Sequence, residues 1–209
     1  MAEYEVATVA ARDTSVFGAP PADPMAVIRN WFDEARELGV PECGAMALAT
    51  SDAQGRSSAR MVHVIEVRPD ALIFTTHRHS QKGREIDETH WSSGVLYWRE
   101  TKQQITIAGP TRLVSTEVSD ALWGRRPITT NAMSFVSRQS APLDDEAALR
   151  DEANALLAAS LGLPRPDGWV GYAIYPESIE FWHAAPDRLH QRLRYDRDGQ
   201  AWNWRRLQP

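Results

Sequence analysis

The spacing of apolar residues along the chain predicts four helices. Asp23-Pro24 begins the first, because an aspartate side chain caps a helix and proline fits its first position. Apolar residues then recur at helical spacing as far as Leu38, and Gly39 ends the helix. The same reasoning predicts helices over residues 80–89, 115–124 and 144–161, with Ser80 as a cap.

Between these helices the apolar residues alternate with polar ones, which predicts strands. The predicted strands cover residues 45–50, 60–67, 72–76, 94–98, 104–114, 169–175, 179–182 and 188–196. Strands at this spacing, separated by turns, indicate an antiparallel barrel or sandwich. Residues 125–141 are predicted to be polar and irregular. Residues 1–22 are predicted to form an arm, and residues 23–209 a single domain.

Composition limits the possible functions. A chain of 209 residues buries a sizeable core without disulfides, and its single cysteine, Cys43, excludes an internal one. The net charge of -5 argues against general nucleic-acid binding. The sequence lacks an apolar run of the roughly 20 residues that a membrane helix needs, and its first residues do not resemble a signal peptide. We therefore expect a cytoplasmic protein that binds neither membrane nor nucleic acid.

Several common catalytic motifs are missing from the sequence. It contains neither a Gly-x-Gly-x-x-Gly fingerprint after a strand, nor a phosphate-binding P-loop, nor a Gly-x-Ser-x-Gly elbow. Cys43 has no basic neighbours to activate its thiol. His77 and His79 lack a third metal ligand nearby, so no metal site is predicted.

Four polar segments suggest instead a site for a phosphorylated, planar cofactor. They comprise residues 60–64, 74–84, 136–140 and 182–194. The second places Lys82 in the first turn of a helix, where free N–H groups favour phosphate. In the fourth, Arg188, His190, Arg192 and Arg194 alternate and would share one face of an extended segment. Each segment alone also fits a purely structural role, such as a solvated cap or an arginine at a strand edge.

The order of these motifs resembles the pyridoxamine 5'-phosphate oxidase family from about Asp23 to Pro209. The resemblance rests on Arg60-x-Val62, Thr75-Thr76 with Ser80-Gln81-Lys82, Trp98 with Gln104, Arg126-Pro127, 137–140, and Glu180-Phe181-Trp182 with Arg188-Leu189-His190-x-Arg192. It implies a β-dominated α+β fold, the FMN-binding split β-barrel with flanking helices. It also implies a homodimer with FMN at the subunit interface, where residues 179–209 complete the site.

The resemblance also implies roles for individual residues. Those expected to hold the FMN phosphate and ribityl chain are Arg60, Lys82 and Ser140. Those expected to line the cofactor are Met61, Val62, Thr75, Thr76, Gln104 and Gln139, with Gln81 standing where the family has an FMN-contacting arginine. Trp182 and Arg192 would complete the site from the other subunit. Arg188 and His190 would lie over the reactive face of the flavin as the catalytic residues.

The departures from the family pattern concern the substrate. The family's pyridoxine-phosphate enzymes surround the substrate phosphate with a lysine, a tyrosine, an arginine and a serine. Here the lysine and tyrosine positions hold Ile65 and Leu122, while Arg126 and the hydroxyl of Thr130 remain. The apolar replacements favour a larger, flatter and less charged substrate.

Residues 80–85 and 96–104 resemble one branch of the family, the flavin oxidases of phenazine biosynthesis. The resemblance implies oxidation of dihydro- or tetrahydrophenazine carboxylic acids to aromatic phenazines, with FMN passing electrons to O2. Arg188, and Arg126 as a second candidate, would pair with a substrate carboxylate, and His190 would accept or relay a proton. Two alternatives stay open: pyridoxamine 5'-phosphate oxidase activity, and a split-barrel protein that binds flavin without turnover.

Overall fold

A closed six-stranded antiparallel barrel forms the centre of the protein, described by a computed structural model over residues 15–159 and 162–209. Its strands are β1 (Ala45–Ser51), β2 (Ser57–Val67), β3 (Leu72–His77), β4 (Trp91–Trp98), β5 (Gln103–Leu113) and β6 (Trp169–Ile174). They pair in the order β1-β2-β3-β6-β5-β4, and β4 returns to β1. Three further strands extend from β5, namely β7 (Ser178–His183), β8 (Gln191–Asp198) and β9 (Ala201–Arg206). This architecture confirms the predicted split β-barrel.

Helices surround the barrel. They are α1 (Ser15–Gly18), α2 (Pro24–Glu37), α3 (Gln81–Thr89), α4 (Thr116–Gly124), α5 (Ile128–Val136) and α6 (Glu146–Ala158). The predicted start of α2 is confirmed, since the Asp23 side chain accepts a hydrogen bond from the Met25 N–H at 2.9 Å. Gly39 follows with a φ of +68°, as expected of a glycine that ends a helix. Within the described residues, no helix is long and apolar enough to cross a membrane.

Three features differ from the sequence prediction. The segment predicted to be irregular contains α5, in which Thr129 and Thr130 are exposed and Ser134 is half-buried, while Ala132 is completely buried. Strand β9 was not predicted, because five of its six residues are exposed and its apolar alternation is limited to Trp202 and Trp204. The strand predicted from residue 188 begins only at Gln191. Helix α6 was expected to reach residue 161, but residues 160 and 161 lie outside the described part of the chain.

The barrel interior is filled by side chains that alternate with outward-facing ones. Met46 and Leu48 of β1 are fully buried and meet an aromatic layer supplied by α2. Trp31 packs edge-on against Phe181 with 5.1 Å between ring centroids, and Phe32 meets Trp98 at 5.3 Å. Helix α2 therefore packs its apolar face against the barrel core.

A second, smaller core lies between α4 and the outer side of β3 and β6. We call it the second cluster; it comprises Ala71, Ile73, Leu122, Trp123, Trp169 and Ala173, with Ile65 packed at its edge. The pairing of Trp123 with Trp169 is edge-on, at 5.0 Å between ring centroids. This cluster places the segment before α5 beside the end of β3, since Arg126 lies over the ring of Trp169 and Trp169 pairs with His77.

Part of the predicted N-terminal arm packs on the barrel. Phe17 is 3% exposed and lies near Trp31. The Tyr195 hydroxyl donates to the Pro21 carbonyl at 2.9 Å, and Arg206 donates to the Phe17 carbonyl at 2.7 Å. Residues 15–22 are thus tied to β8 and β9, whereas residues 1–14 of the predicted arm lie outside the described part of the chain.

The outer face of the barrel carries apolar side chains that the single chain leaves uncovered. Ala47 pairs with Met61 on one side and with Val95 on the other. Because Met46 and Leu48 point inwards, these three residues point outwards. Met61 is 63% exposed and Tyr97 of the same sheet 53%. A β-sheet with apolar residues on both faces indicates that a further protein surface covers the outer one.

Candidate functional site

The start of α3 forms a compact polar pocket with the end of β3. Ser80 caps the helix by accepting from the Gly83 N–H at 3.3 Å. A side chain at Gly83 would lie 2.1 Å from the Arg78 carbonyl oxygen, so only glycine permits this close turn. The turn directs Lys82 inwards, where it is 6% exposed.

The Lys82 ammonium has only neutral partners among the described residues. Its Nζ lies 3.2 Å from Thr76 Oγ1, 3.1 Å from Gln139 Oε1 and 3.5 Å from Ser80 Oγ. Burial, and then the nearby charge of Arg60, lower the pKa of Lys82 to about 8, although Glu85 opposes the shift. A buried cation without a paired anion is unfavourable on its own, so this position favours an anionic ligand.

Arg60 supplies a second cation beside the same pocket. Its Nη1 donates to Thr50 Oγ1 and its Nη2 to Ser58 Oγ, both at 2.5 Å, and Nη2 lies 3.3 Å from Glu85 Oε2. Two cations beside a helix start suit a phosphate dianion. The residues present therefore fit the phosphate of FMN.

The loop after α5 closes this pocket from the other side. Gln139 Oε1 accepts from the Thr76 hydroxyl at 2.8 Å, and the Ser140 hydroxyl accepts from the Gln81 N–H at 3.2 Å. Ser140 has a φ of +71°, a left-handed conformation that non-glycine residues seldom adopt. The structure thus brings together five predicted cofactor residues, Thr76, Gln81, Lys82, Gln139 and Ser140, next to Arg60. We call this group the phosphate pocket.

The other predicted cofactor residues lie elsewhere on the barrel. Gln104 pairs with Trp182, which pairs with Arg192, so the three form a row across the outer face. Met61 also faces outwards, whereas its neighbour Val62 packs against the barrel core. Thr75 lies on the side of β3 opposite to Thr76.

His190 and Arg188 occupy the turn that follows β7, next to this outer row. The His190 ring lies 4.9 Å from the Trp182 ring, and its Nδ1 accepts from the Ala185 N–H at 3.1 Å. A neutral His190 therefore carries its proton on Nε2. Arg188 has a φ of +68°, and its exposed guanidinium makes no hydrogen bond or ion pair with the described residues.

The prediction that four alternate residues share one strand face is wrong for this turn. Arg188 and His190 precede β8, and only Arg192 and Arg194 lie on it. The Ala184–Asp187 stretch turns the chain, and the Leu189 N–H donates to the Asp187 carboxylate at 3.0 Å within that turn. The alternation in sequence therefore does not correspond to one extended segment.

Two predicted site arginines are engaged with their own chain. Arg192 donates from Nε to Glu180 Oε1 at 2.7 Å and from Nη1 to the Gln208 carbonyl at 2.9 Å. Arg126 lies between two tryptophan rings, 5.3 Å from the centroid of Trp123 and 4.9 Å from that of Trp169. Its Nη2 donates to Ser134, while its Nη1 is buried without a partner in the described residues.

The remaining predicted substrate residues separate into two environments. Ile65 and Leu122, far apart in sequence, meet in the second cluster. Thr130 lies on the exposed side of α5 and donates its hydroxyl hydrogen bond to the Pro127 carbonyl at 2.8 Å.

His77 is a buried group that the sequence analysis considered only as a metal ligand. Its burial, followed by the charges of His79, Arg126 and Lys82, lowers its pKa to about 4, so it is neutral near pH 7. Across the described ranges, no group of three or more histidine, cysteine, aspartate or glutamate residues is placed to hold a metal ion.

Sequence reasoning missed three residues that surround Arg60: Thr50, Ser58 and Glu85. The only local signal was that Ser58 and Arg60 lie two residues apart and so share one face of β2. Thr50 and Glu85 reach Arg60 through strand pairing and helix packing across 10 and 25 residues.

The phosphate pocket and the outer row are built on different strands of one subunit. From Arg60 on β2 to Trp182 on β7 the sheet path crosses four strand pairings, β2-β1-β4-β5-β7. At roughly 4.8 Å per strand this path is about 19 Å along the sheet.

Comparison with known proteins defines the class of this barrel. Residues 32–158 match the family model described as Pyridoxamine 5'-phosphate oxidase. Residues 169–209 match the model described as Pyridoxine 5'-phosphate oxidase C-terminal dimerisation region. The chain therefore belongs to the pyridoxamine 5'-phosphate oxidase family, a family of FMN-dependent oxidoreductases. Membership confirms FMN as the predicted cofactor, and the dimerisation region supports a homodimer.

Individual relatives narrow the comparison. The chain is 48% identical over 190 residues to the dihydrophenazinedicarboxylate synthase of Pseudomonas chlororaphis, covering 91% of this chain and 86% of that protein. It is 37% identical over 189 residues to the pyridoxine/pyridoxamine 5'-phosphate oxidase of Mannheimia succiniciproducens, covering 90% and 89%. The crystal structure of PhzG from Burkholderia lata in complex with tetrahydrophenazine-1-carboxylic acid superimposes with a TM-score of 0.91 at 45% identity, covering 93% of this chain and 96% of that one.

The outer face provides a direct test of the dimer. Replacing the outward-facing Ala47 with glutamate puts a charge among Met61 and Val95 without disturbing the barrel interior. Burying an unpaired carboxylate is costly, so we expect Ala47→Glu to be monomeric and to lose most of its bound FMN. Sedimentation velocity and flavin absorbance measure the two effects. Ala155→Glu on the exposed side of α6 is the matched control and should stay dimeric and yellow; a dimeric Ala47→Glu protein would contradict this use of the outer face.

Proposed function

We propose that this protein is an FMN-dependent oxidase of phenazine biosynthesis that converts dihydro- or tetrahydrophenazine carboxylic acids to aromatic phenazines, with O2 as electron acceptor. The observation that carries the proposal is the apolar second cluster. It holds Ile65 and Leu122, the residues that stand, by the family resemblance, where pyridoxine-phosphate enzymes have a phosphate-binding lysine and tyrosine. The identity to a dihydrophenazinedicarboxylate synthase supports the same branch.

The cost of these two replacements separates the candidate substrates. A charge-assisted hydrogen bond contributes roughly 1.5–3 kcal/mol. Losing the lysine alone weakens binding of a phosphorylated substrate by about ten- to a hundredfold. Ile65 is half-buried at the edge of the second cluster and Leu122 is buried within it, so neither supplies a polar partner to a phosphate. The change disfavours pyridoxamine phosphate and leaves a less charged substrate, such as a reduced phenazine, unaffected.

The proposed active site combines groups from two subunits. The phosphate pocket of one subunit would hold the FMN phosphate. The outer row lies about 19 Å along the sheet from that pocket, so we infer that a second copy brings its Trp182 and Arg192 to the cofactor. Residues 179–209 thus complete the site, as part of the proposed single domain over residues 23–209.

FMN, when bound, supplies the redox chemistry by accepting a hydride or its equivalents from substrate and passing the electrons to O2. The protein's own residues bind and orient. Arg188 presents an exposed, unengaged guanidinium that suits a substrate carboxylate. His190, with Nδ1 occupied by the Ala185 N–H, presents Nε2–H as a hydrogen-bond donor. We therefore propose that His190 orients the substrate by donating a hydrogen bond from Nε2.

Anaerobic mixing tests the substrate assignment. The oxidised flavin should bleach with a dihydrophenazine carboxylate about ten- to a hundredfold more efficiently than with pyridoxamine 5'-phosphate, since the phosphate has lost its lysine partner. Stopped-flow absorbance measures both rates. Equal efficiencies would point to pyridoxamine 5'-phosphate oxidase activity. Failure to bleach with either compound would point to a flavin-binding protein without turnover.

The pH dependence of FMN binding follows from Lys82. In the apoprotein its pKa is about 8, so the ammonium loses its proton, and its attraction for phosphate, as the pH rises above that value. The phosphate itself is already a dianion, since its second pKa is about 6. We expect the Kd for FMN to rise by up to about tenfold per pH unit between pH 8 and 9.5. Fluorescence titration with riboflavin, which has the same ring and no phosphate, is the control and should show no such slope.

The cytoplasmic location and the use of O2 stay predictions. Comparing turnover in air with turnover under argon, with the purified protein and a reduced phenazine, would test whether O2 is the electron acceptor.

A further inference from the structure

Glu85 on α3 is a buried carboxylate that none of the roles above uses. It is 7% exposed and lies at the mouth of the barrel beside β1 and β2. Its Oε1 accepts from Ser58 Oγ at 2.9 Å and from Gln81 Nε2 at 2.9 Å. Its Oε2 accepts from Ser58 Oγ at 2.7 Å, from the Thr50 hydroxyl, and from Arg60 Nη2 at 3.3 Å.

The hydroxyls of Thr50 and Ser58 connect Glu85 to Arg60: each donates to Glu85 and accepts from Arg60. A hydroxyl has one proton, and Thr50 and Ser58 each give theirs to the Glu85 carboxylate. Their lone pairs are then free to accept from Arg60, Thr50 from Nη1 and Ser58 from Nη2, both at 2.5 Å. The carboxylate thus sets the orientation of both hydroxyls, and the hydroxyls hold both terminal nitrogens of the guanidinium.

The ionised form of Glu85 is the form that this network requires. Burial alone would raise the pKa of Glu85, but hydrogen bonds from Ser58, Thr50, Gln81 and Arg60 outweigh it and lower the pKa below its usual value. Only the ionised carboxylate accepts from all four donors at once.

We propose that Glu85 is a positioning residue for the cofactor phosphate: through Thr50 and Ser58 it fixes the Arg60 guanidinium in the direction of the phosphate pocket. The inference rests on the proposed place of the FMN phosphate beside Arg60 and Lys82. It does not depend on which substrate is oxidised. A carboxylate that merely faced the phosphate would repel it, so the proposal predicts the opposite sign from simple electrostatics.

Gln81 takes part in the Glu85 network by donating a hydrogen bond to its carboxylate. The family resemblance places an FMN-contacting arginine at residue 81. Here the glutamine amide turns to Glu85 Oε1. Gln81 therefore supports the Glu85 network, which leaves Arg60 and Lys82 as the two cations beside the phosphate position.

Binding of FMN and riboflavin to the apoprotein tests the proposal without any substrate. Glu85→Gln keeps the size of the side chain but changes one acceptor oxygen into a donor, which leaves Arg60 loosely held. We expect the Kd for FMN to rise about tenfold or more while the Kd for riboflavin changes less than twofold. Tighter or unchanged FMN binding would overturn the proposal in favour of charge repulsion. An equal loss for both ligands would overturn it in favour of a purely structural role.

A double-mutant cycle with Arg60→Ala identifies the route of the effect. Once Arg60 is absent, adding Glu85→Gln should leave the ratio of the FMN and riboflavin Kd values unchanged. A further drop in FMN affinity would show that Glu85 acts by another path. If Glu85→Gln does not fold, Thr50→Val and Ser58→Ala each remove one linking hydroxyl. Each should weaken FMN about two- to tenfold and spare riboflavin, and a loss shared by both ligands would again count against the proposal.

Discussion

Replacing Arg188 with alanine should slow reduction of the bound flavin by a reduced phenazine carboxylate about ten- to a hundredfold, while FMN stays bound. Arg188 is exposed, its backbone is in the left-handed region, and its guanidinium makes no hydrogen bond or ion pair with the described residues. It thus has no structural partner to lose, and removing it should leave stability almost unchanged. What it would lose is one charge-assisted hydrogen bond to substrate, roughly 1.5–3 kcal/mol.

Stopped-flow reduction under anaerobic conditions, with FMN occupancy read from absorbance, separates the two effects of Arg188→Ala. Arg197→Ala is the matched control, because Arg197 is an exposed arginine of β8 that stacks on Trp202 at 5.1 Å, away from the proposed substrate position. The control should reduce at the normal rate. Loss of FMN from Arg188→Ala with an unchanged rate in the remaining holoenzyme would show that Arg188 serves the cofactor instead.

Replacing Lys82 with methionine should have the opposite pattern, a large loss of FMN affinity with little change in flavin reduction once FMN is saturating. Lys82 is 6% exposed and contacts only neutral groups within the described chain. Its ammonium would pair with the phosphate dianion in a site with little water, where an ion pair contributes more binding free energy than one on the surface does. We expect a rise of about a hundredfold or more in the Kd for FMN, and loss of the pH slope above pH 8.

The same substitution should make the apoprotein more stable. Methionine keeps the length of the side chain and removes a buried charge that lacks an anion. Each kcal/mol gained raises the melting temperature by roughly 2–4 °C in a chain of this size. Differential scanning calorimetry measures the melting temperature of each form. We expect Lys82→Met to raise that of the apoprotein and, through weaker FMN binding, to lower that of the holoprotein. Lys102→Met, at the other lysine, which is exposed, is the control. An apoprotein destabilised by Lys82→Met would contradict the inference that the Lys82 charge has no anionic partner until FMN binds.

Local signals account for the parts of the fold that the sequence predicted well. The Asp23 cap, the Pro24 start and Gly39 determine α2 through contacts within a few residues. Helix α5 escaped prediction because its apolar residues do not form one buried face: Ile128, Met133 and Phe135 are exposed, whereas the polar Asn131 is buried. The path of residues 184–190 was also not predicted. Alternating charged residues suggest a strand, but the positive φ at Arg188 breaks the extended geometry.

The candidate site likewise combines contacts that follow from local sequence with contacts that only the folded barrel creates. Lys82, Ser80 and Gln81 belong to one helix start, so their proximity follows from the sequence. The contacts of Lys82 with Gln139, and of Arg60 with Glu85, join residues 57 and 25 positions apart, and no local pattern specifies them. The sandwich of Arg126 between Trp123 and Trp169 likewise depends on the packing of α4 against β6.

The sequence by itself determined most of the elements and their order, though not α5 and β9, together with the family and its cofactor, because caps, alternation and short motifs act over a few residues. The tertiary structure alone decided that Lys82 is a buried cation among neutral groups, that Glu85 holds Arg60 through two hydroxyls, and that the phosphate pocket and the Trp182 row lie on distant strands. These facts depend on strand register and on burial, and both are set by the whole barrel closing around its core.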